Sequence, residues 1–307
     1  MQLSYHYSTT RENYAYICSV MLDILAIHWN IDPVLLHLGP ISLRWYSLLF
    51  VSGFIFGWYM VRSFYRREGV DEKLLDPLLY TMLISVIVGA RLGHCIFYDP
   101  QYYFGSWQGF LEVFQPWKGG LASHGGAIGI ILGLLWYTNK YGKKEGFDFF
   151  WLADRIVLVV CFAGACIRLG NFFNSEIIGY NTTLPWGIVF DRTGDPNPKH
   201  PTMLYEALTY LTMGVVMIWL YRKKLDKLYR GELFGIFLTF CFGMRGLLEF
   251  TKAPSVTVFT IGDVVINMGH LLSFPFAIAG IVFWIWSVKR GVPAAIQRQP
   301  YRTPKKA

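Results

Sequence analysis

The chain has 307 residues, of which 54% are hydrophobic and 16% are charged, and its mean hydropathy is +0.36. Soluble domains carry about 25% charged residues, so this composition argues against a soluble globular protein. The formal net charge of +8 does not indicate nucleic-acid binding, because the sequence contains neither a basic face with interleaved aromatic residues nor a known nucleic-acid module.

Long apolar runs divide the chain into candidate membrane spans. A helix that crosses a bilayer needs about 20 mostly apolar residues. Five runs contain at most one interior charge, and two weaker runs contain several charges. In chain order, the seven predicted spans lie near residues 44–62, 77–98, 119–139, 148–168, 201–221, 233–250 and 264–288.

The basic residues of the connecting segments favour seven spans over five. Most of the 28 Lys and Arg residues lie in segments 62–73, 140–144, 222–230 and 289–306. Cytoplasmic loops are enriched in these residues, and the segments alternate only if all seven spans are counted. We therefore predict an all-α polytopic membrane protein, a single domain over residues 1–307. Its N-terminus is expected outside, its C-terminus in the cytoplasm and its longest outer loop at 169–200.

Ionisable residues within the predicted spans are concentrated towards the outer side. Charged groups are costly in lipid, so their presence there indicates function. The topology assigns most of these polar residues to the outer ends of spans and a smaller group to the inner face. The outer set is Tyr46, Arg91, His124, Arg168, His200, Tyr205, Glu206, Arg245, Glu249 and His270, and the inner set is Asp148, Asp154 and Arg155.

Several of these residues also have a structural interpretation. Arg245 and Glu249 are spaced i, i+4 and can neutralise each other on one helix face. Arg168, at a helix end, can snorkel to lipid phosphates. His124 can be an interfacial helix cap. Their common location on the outer side nevertheless favours a polar site over a purely structural role.

Glycines follow His124 at helical spacing. Gly125, Gly129 and Gly133 recur every four residues, so they share one helix face, and small residues at this spacing allow membrane helices to approach closely. We expect helix packing to account for Gly129 and Gly133. Gly125 and Gly126 are also predicted to give a substrate access to the backbone beside His124.

Polar segments that include G-G-L-A-S-H-G-G at 119–126 and R-x-G-N-F-x-N-x-E-x-x-G at 168–179 occur in an order that resembles one family, the bacterial phosphatidylglycerol–prolipoprotein diacylglyceryl transferases. The resemblance extends from about residue 24 to residue 288, and its most specific segment is R-x-G-N-F-x-N-x-E-x-x-G at 168–179. The other matching segments are W-x-I-D-P at 29–33, L-R-W-Y at 43–46, G-G-L-A-S-H-G-G at 119–126, H-P-T at 200–202, L-Y-E at 204–206, Arg245 with Glu249, and 268–275.

The sequence departs from the family pattern at three places. His270 stands where Gln is more usual, Ser175 stands where Gly is usual, and Ala122-Ser123 replaces Ser-Phe before the histidine. None of these departures removes a charged or catalytic candidate.

The resemblance implies a reaction. The diacylglyceryl group of phosphatidylglycerol passes to the lipobox cysteine thiol in the signal peptide of a prolipoprotein, a thioether forms, and glycerol phosphate leaves. The implied partners are phosphatidylglycerol, prolipoprotein signal peptides and membrane lipids at the outer leaflet of a bacterial plasma membrane. The implied catalytic residues are His124, Arg168 and Arg245. The implied substrate-binding residues are Arg168, Tyr46, Gly125, Gly126, Asn171, Asn174, Glu176, Gly179, Tyr205 and Glu249.

The residue types suit this chemistry. Arginine binds phosphate bidentately, and a thiol with a reference pKa of about 8.5 needs a nearby base, for which His124 is the candidate. No cofactor and no metal are expected. The alternative function is a transporter or channel for an anionic solute, since membrane Arg and His also line transport paths.

Overall fold

A computed structural model of the chain describes residues 27–39, 41–253, 257–261 and 264–296. The predicted outside N-terminus and the basic residues beyond 296 lie outside the described part. Two compact units are present. The first contains the described residues up to Gly53, Ala163–Thr212 and the described part of Cys241–Ala277. The second contains Phe54–Phe162, Met213–Phe240 and the described residues from Ile278 onwards.

A long helix lies in each of the seven predicted segments, so the mostly helical prediction is confirmed. Three short helices lie between them, because Gly, Pro and Ser punctuate the chain there. The helices are α1 Trp45–Glu68, α2 Leu75–Phe97, α3 Pro100–Gly105, α4 Trp107–Val113, α5 Ser123–Tyr137, α6 Lys143–Glu145, α7 Phe149–Phe173, α8 Thr202–Lys224, α9 Glu232–Glu249 and α10 Met268–Arg290.

Five helices are long and apolar enough to cross a membrane, within the part of the chain that the structure describes. They cover Trp45–Glu68, Glu72–Phe97, Phe149–Phe173, Thr202–Lys227 and Met268–Arg290. The α5 helix has only 15 residues before a π-helical turn interrupts it, and α9 carries three charged residues in its 18. Seven crossings, and the orientation of the termini, therefore stay predictions.

The described residues also form three two-stranded sheets, which the all-helical prediction omitted. Strand β1 Ile27–Trp29 pairs in parallel with β4 Ile188–Phe190. The other two sheets are antiparallel hairpins, β2 Val34–Leu38 with β3 Ile41–Arg44 and β5 Thr257–Ile261 with β6 Val264–Asn267. The predicted span at 264–288 therefore begins as a strand, and its helix starts at Met268.

The predicted outer loop at 169–200 is partly regular, because α7 continues to Phe173 and the segment contains β4, which pairs with β1. Trp29 anchors β1 by donating its indole N–H to the Phe172 carbonyl at 3.0 Å. Near the end of the segment, Lys199 and Asn197 donate to Asp195 and hold the pKa of its carboxyl at about 2. These contacts order the chain that precedes α8.

Close packing of α2 on α5 explains the glycine spacing. A Cβ atom on Gly125 would lie 2.3 Å from the Gly89 carbonyl oxygen, and one on Gly129 would lie 2.2 Å from the Ser85 carbonyl oxygen. Neither gap admits a side chain, so the two helices touch along their backbones. The predicted packing role of Gly129 and Gly133 is thereby confirmed.

Candidate functional site

Arg168 is held by a buried carboxylate in the first unit. It lies one turn before the end of α7, and its Nε atom is 2.9 Å from Oε2 of Glu206 on α8. The Glu206 side chain has no exposed surface, whereas 14% of the Arg168 side chain is exposed. The guanidinium donates a hydrogen bond through Nη1 to Oδ1 of Asn171 at 3.3 Å. Arg168 is therefore oriented by protein groups and keeps an accessible edge.

Lys252 joins this pair to the end of α9. Its ammonium lies 2.9 Å from Oε1 of Glu206 and 3.0 Å from Oε2 of Glu249. Lys252 and Glu249 are 7% and 12% exposed, so this part of the network is largely shielded from solvent. Sequence reasoning did not select Lys252, although its i, i+3 spacing from Glu249 was the available signal.

Arg245 lies one turn before Glu249 on α9. It interacts electrostatically with the Tyr210 hydroxyl and with the carboxylates of Glu206 and Glu249. Among the described residues, however, the close ion pair of Glu249 is with Lys252. The structural interpretation pairs Arg245 with Glu249. In the structure, the closer cation to Glu249 is Lys252.

The segment after α7 forms a small amide–carboxylate cluster. Asn171 donates to Oε2 of Glu176 at 3.0 Å, and Asn174 donates to Oε1 of the same carboxylate at 3.2 Å. Ser175 has a φ of 56° and Ile177 has a φ of 60°, a region that L-residues with side chains rarely adopt. This reversal brings Glu176 back over Asn171, which in turn contacts Arg168.

Tyr46 faces this cluster from the start of α1. A Cβ atom on Gly170 would lie 2.7 Å from Cδ2 of Tyr46, so glycine is what permits the tyrosine ring to lie against α7. The Tyr46 hydroxyl interacts electrostatically with Glu176 and Arg168. The structure thus places Tyr46, a substrate-binding candidate from the sequence, next to the 168–179 segment.

Gly179 and Tyr205 lie where two backbone segments cross beside the network. A Cβ atom on Gly179 would lie 2.4 Å from the Thr251 carbonyl oxygen and 2.7 Å from the His200 Cβ, so only glycine fits. The Tyr205 hydroxyl accepts a hydrogen bond from the indole of Trp186 at 2.8 Å and lies 3.2 Å from Nδ1 of His200. Gly179 therefore sets the path of the chain that carries these residues and Lys252.

Buried polar atoms without hydrogen-bond partners mark the same unit. Within the described residues they include Oδ1 of Asn174, Oγ of Ser175, Nε2 of His270 and Oγ of Ser273. Buried polar groups in proteins are normally paired, so each such atom calls for an explanation. All four belong to the unit that carries the Arg168 network, as does Oε2 of Glu206, which has an ion-pair contact but no hydrogen-bond partner.

His124, Gly125 and Gly126 belong to the second unit. His124 is exposed in the first turn of α5, and the two glycines are buried. Gly125 contacts Gly89 and Gly93 of α2 so closely that a side chain would not fit, which explains glycine at this position. The substrate-binding role of these glycines stays a prediction.

Arg91, also in the second unit, has a structural role. It is buried on α2 and donates to the carbonyl oxygens of Glu112, Val113, Gly119 and Gly120. These four bonds fix the end of α4, and the turn that follows it, onto α2. Backbone dipoles rather than a carboxylate stabilise this guanidinium.

The inner charged residues are structural as well. Asp154 is fully buried and accepts hydrogen bonds from the backbone N–H groups of Gly231 and Phe234 at the start of α9. Arg155 is fully buried and forms a bidentate pair with Glu68, with Nη2 2.6 Å from Oε2. Trp151 and Tyr221 donate to the same carboxylate at 2.8 Å. Asp148, the third of these residues, accepts from the backbone N–H of Trp151 and lies 3.4 Å from Arg230.

The comparisons with known proteins agree with the polar segments read from the sequence. The family model described as prolipoprotein diacylglyceryl transferase matches residues 33–286. This chain belongs to that family. The candidate site residues of both units lie within the matched range.

Relatives named phosphatidylglycerol–prolipoprotein diacylglyceryl transferase match most of the chain. The protein of Tolumonas auensis is 42% identical over 263 residues, which cover 86% of this chain and 98% of the relative. That of Bacteroides fragilis is 41% identical over 276 residues, covering 87% and 97%. That of Porphyromonas gingivalis is 40% identical over 278 residues, covering 87% and 96%.

Membership of this family, together with the apolar helices, identifies a multi-pass membrane protein and an enzyme. The transporter alternative receives no support from these comparisons.

Proposed function

We propose that this protein transfers the diacylglyceryl group of phosphatidylglycerol to the lipobox cysteine thiol of prolipoproteins. Membership of the family and the names of its relatives support the reaction. The single structural observation that carries the proposal is the Arg168–Glu206 pair, a guanidinium oriented by a fully buried carboxylate and still partly exposed. Such an arginine is suited to a phosphate diester at the edge of a bilayer.

Arg168 and Arg245 are the proposed phosphate ligands. Arginine has five N–H donors, of which one in Arg168 donates to Asn171, while Nε forms an ion pair with Glu206. Those remaining suit phosphate oxygens in the fork geometry that arginine provides. Arg245 interacts electrostatically with Glu206 and Glu249, whose close ion pairs are with Arg168 and Lys252, and we propose that it shares the same anion.

Glu206, Lys252 and Glu249 are proposed as positioning residues. The two carboxylates and the ammonium form a chain with distances of 2.9 and 3.0 Å. In a poorly solvated setting such a chain holds its members in one arrangement, because separating any pair leaves a buried charge. A preorganised arginine needs little rearrangement when negative charge grows on the leaving phosphate.

The proposed chemical step is a substitution at the glyceryl carbon. The cysteine sulfur forms a bond to that carbon, and the bond from carbon to the phosphate oxygen breaks. The electron pair departs on glycerol phosphate, where the arginines stabilise it. The thiol proton passes to the imidazole of His124, the proposed general base. General-base assistance contributes about 10²–10⁴-fold in rate.

The pH dependence of turnover tests the assignment of His124. With a histidine base, the native enzyme is expected to show an ascending acid limb in its rate profile. In His124→Gln that limb should vanish, and the rate should rise only as the thiol itself ionises. An unchanged limb at near-normal rate would assign the proton to another group or remove the need for a base.

A transfer assay tests the function itself. Purified protein is supplied with phosphatidylglycerol labelled in its diacylglyceryl group and with a lipobox peptide, and labelled peptide is the expected product. A peptide with Ser in place of the lipobox Cys is the control and should remain unlabelled. Absence of label in the Cys peptide would reject the function.

We also propose the location of the reaction. The alternating basic segments support a protein of the bacterial plasma membrane with its N-terminus outside and its C-terminus in the cytoplasm. In that orientation the Arg168 end of α7 faces the outer leaflet. Signal peptides that have crossed the membrane would meet phosphatidylglycerol there.

A further inference from the structure

A groove with a volume of ≈ 430 Å³ lies between α2 and α5 in the second unit. Ser85 and Gly133 line it, and a Cβ on Gly133 would lie 2.2 Å from the Ser85 hydroxyl oxygen. Tyr80 and Ile84 line it and are each 62% exposed. The groove therefore opens sideways from the helix pair, towards the apolar medium around the protein.

A π-helical turn shapes one wall of this groove. Residues Thr138–Gly142 adopt the π conformation directly after α5, and π turns within helices are frequent at functional sites. Trp136 and Tyr141, five residues apart, present their rings edge to face with centroids separated by 6.3 Å. Both rings line the groove. A regular α-helix has 3.6 residues per turn, so it would place residues five apart on different faces.

The Lys140 side chain packs against the two aromatic rings of this wall. The Lys140 ammonium lies 4.7 Å from the Trp136 ring centroid and 5.2 Å from that of Tyr141. Among the residues described by the structure, no carboxylate forms an ion pair with Lys140, whose side chain is exposed. Exposed Lys143 and Lys144 follow it on α6. The groove thus combines an apolar channel with positive charge at one end.

We propose that this groove binds an anionic phospholipid, with one acyl chain in the channel and the phosphate on Lys140. A basic residue beside an apolar groove between membrane helices is complementary to such a lipid in both parts. None of the groove residues belongs to the candidate catalytic site. The proposal stands independently of the transfer reaction, and it assigns a structural or regulatory lipid rather than the substrate.

Photocrosslinking tests the proposal in the full-length protein. A benzophenone amino acid replaces Ile84, and a second reporter replaces Val215, an exposed residue of α8, to sample bulk lipid. The protein is reconstituted in vesicles of phosphatidylserine and phosphatidylcholine with identical acyl chains, and captured lipids are identified by mass spectrometry. Phosphatidylserine serves as the anionic lipid so that binding of phosphatidylglycerol as a substrate cannot contribute to the captured lipid.

The Ile84 reporter is expected to capture phosphatidylserine about fivefold more efficiently, relative to phosphatidylcholine, than the Val215 reporter does. Lys140→Gln should remove this preference and Lys140→Arg should keep it. Lys224→Gln is the matched control, because Lys224 also lies over a tryptophan, 5.1 Å from the Trp219 ring, away from the groove residues.

Equal preference at Ile84 and Val215, or a preference that survives Lys140→Gln, would overturn the proposal. If the Ile84 reporter does not yield folded protein, Tyr80 supplies a second reporter on the same groove. The same criteria apply to it.

Discussion

The Nε atom of Arg168 lies 2.9 Å from Oε2 of Glu206, and the other oxygen of that carboxylate lies 2.9 Å from the Lys252 ammonium. One buried glutamate therefore holds two cations from two different parts of the sequence. This relationship makes Glu206 the central residue of the network.

Glu206→Gln should lower both activity and stability. The substitution leaves two cations sharing a neutral amide, and removing one partner of a buried ion pair costs about 3–5 kcal/mol. Thermal unfolding in detergent and the transfer rate measure the two effects. Asp195→Asn is the matched control, because this carboxylate pairs with Lys199 near the surface. Equal melting temperatures for Glu206→Gln and the unsubstituted protein would show that the network does not stabilise the fold.

Arg245→Lys should reduce the transfer rate even though the charge is kept. Lysine lacks the planar fork, and loss of one charge-assisted hydrogen bond of about 1.5–3 kcal/mol corresponds to roughly 10–150-fold in rate. The double substitution Arg245→Gln with Glu249→Gln should not recover activity, because Glu249 pairs with Lys252. Recovery in the double variant would instead favour mutual neutralisation of Arg245 and Glu249.

Gly170→Ala should weaken lipid binding through Tyr46. The added Cβ would lie 2.7 Å from the Tyr46 ring, and overpacking of this kind costs about 1–3 kcal/mol. We expect a raised KM for phosphatidylglycerol. Gly243→Ala is the control, because nothing lies within 4 Å of its new Cβ, and alanine in a helix is more favourable by about 1 kcal/mol. Identical kinetics for the two variants would remove Tyr46 from the site.

Cysteine labelling in intact cells tests the orientation. Single cysteines at Lys143 and Arg222 should react only after the membrane is permeabilised, whereas one at Arg192 should react from outside. All three side chains are exposed, so burial does not limit their reaction. Equal labelling of positions 143 and 192 in intact cells would contradict the seven-span topology.

Much of the fold follows from charge-free runs, since a long apolar segment in lipid must satisfy its backbone by forming a helix. The 168–179 segment likewise predicted a polar cluster, and Tyr46, Asn171 and Glu176 do meet around Arg168. These features depend on local composition or on a specific motif. Both are readable in a single sequence.

Other features depend on tertiary contacts that spacing does not reveal. The i, i+4 rule favoured pairing Arg245 with Glu249, but Lys252 lies beyond the end of α9 and turns back to reach both Glu249 and Glu206. The crossing of the chain at Gly179 permits this return. The π turn after α5 cannot be predicted from hydropathy either, because it changes the backbone geometry and has no distinct amino-acid composition.

Mass analysis of the modified peptide tests the central claim most directly. The native protein is incubated with phosphatidylglycerol and a lipobox peptide, and the peptide and the water-soluble product are both quantified. The account predicts a diacylglyceryl group in thioether linkage to the cysteine and one glycerol phosphate released for each modified peptide. A peptide carrying a single acyl group in thioester linkage, or glycerol phosphate released without peptide modification, would contradict it.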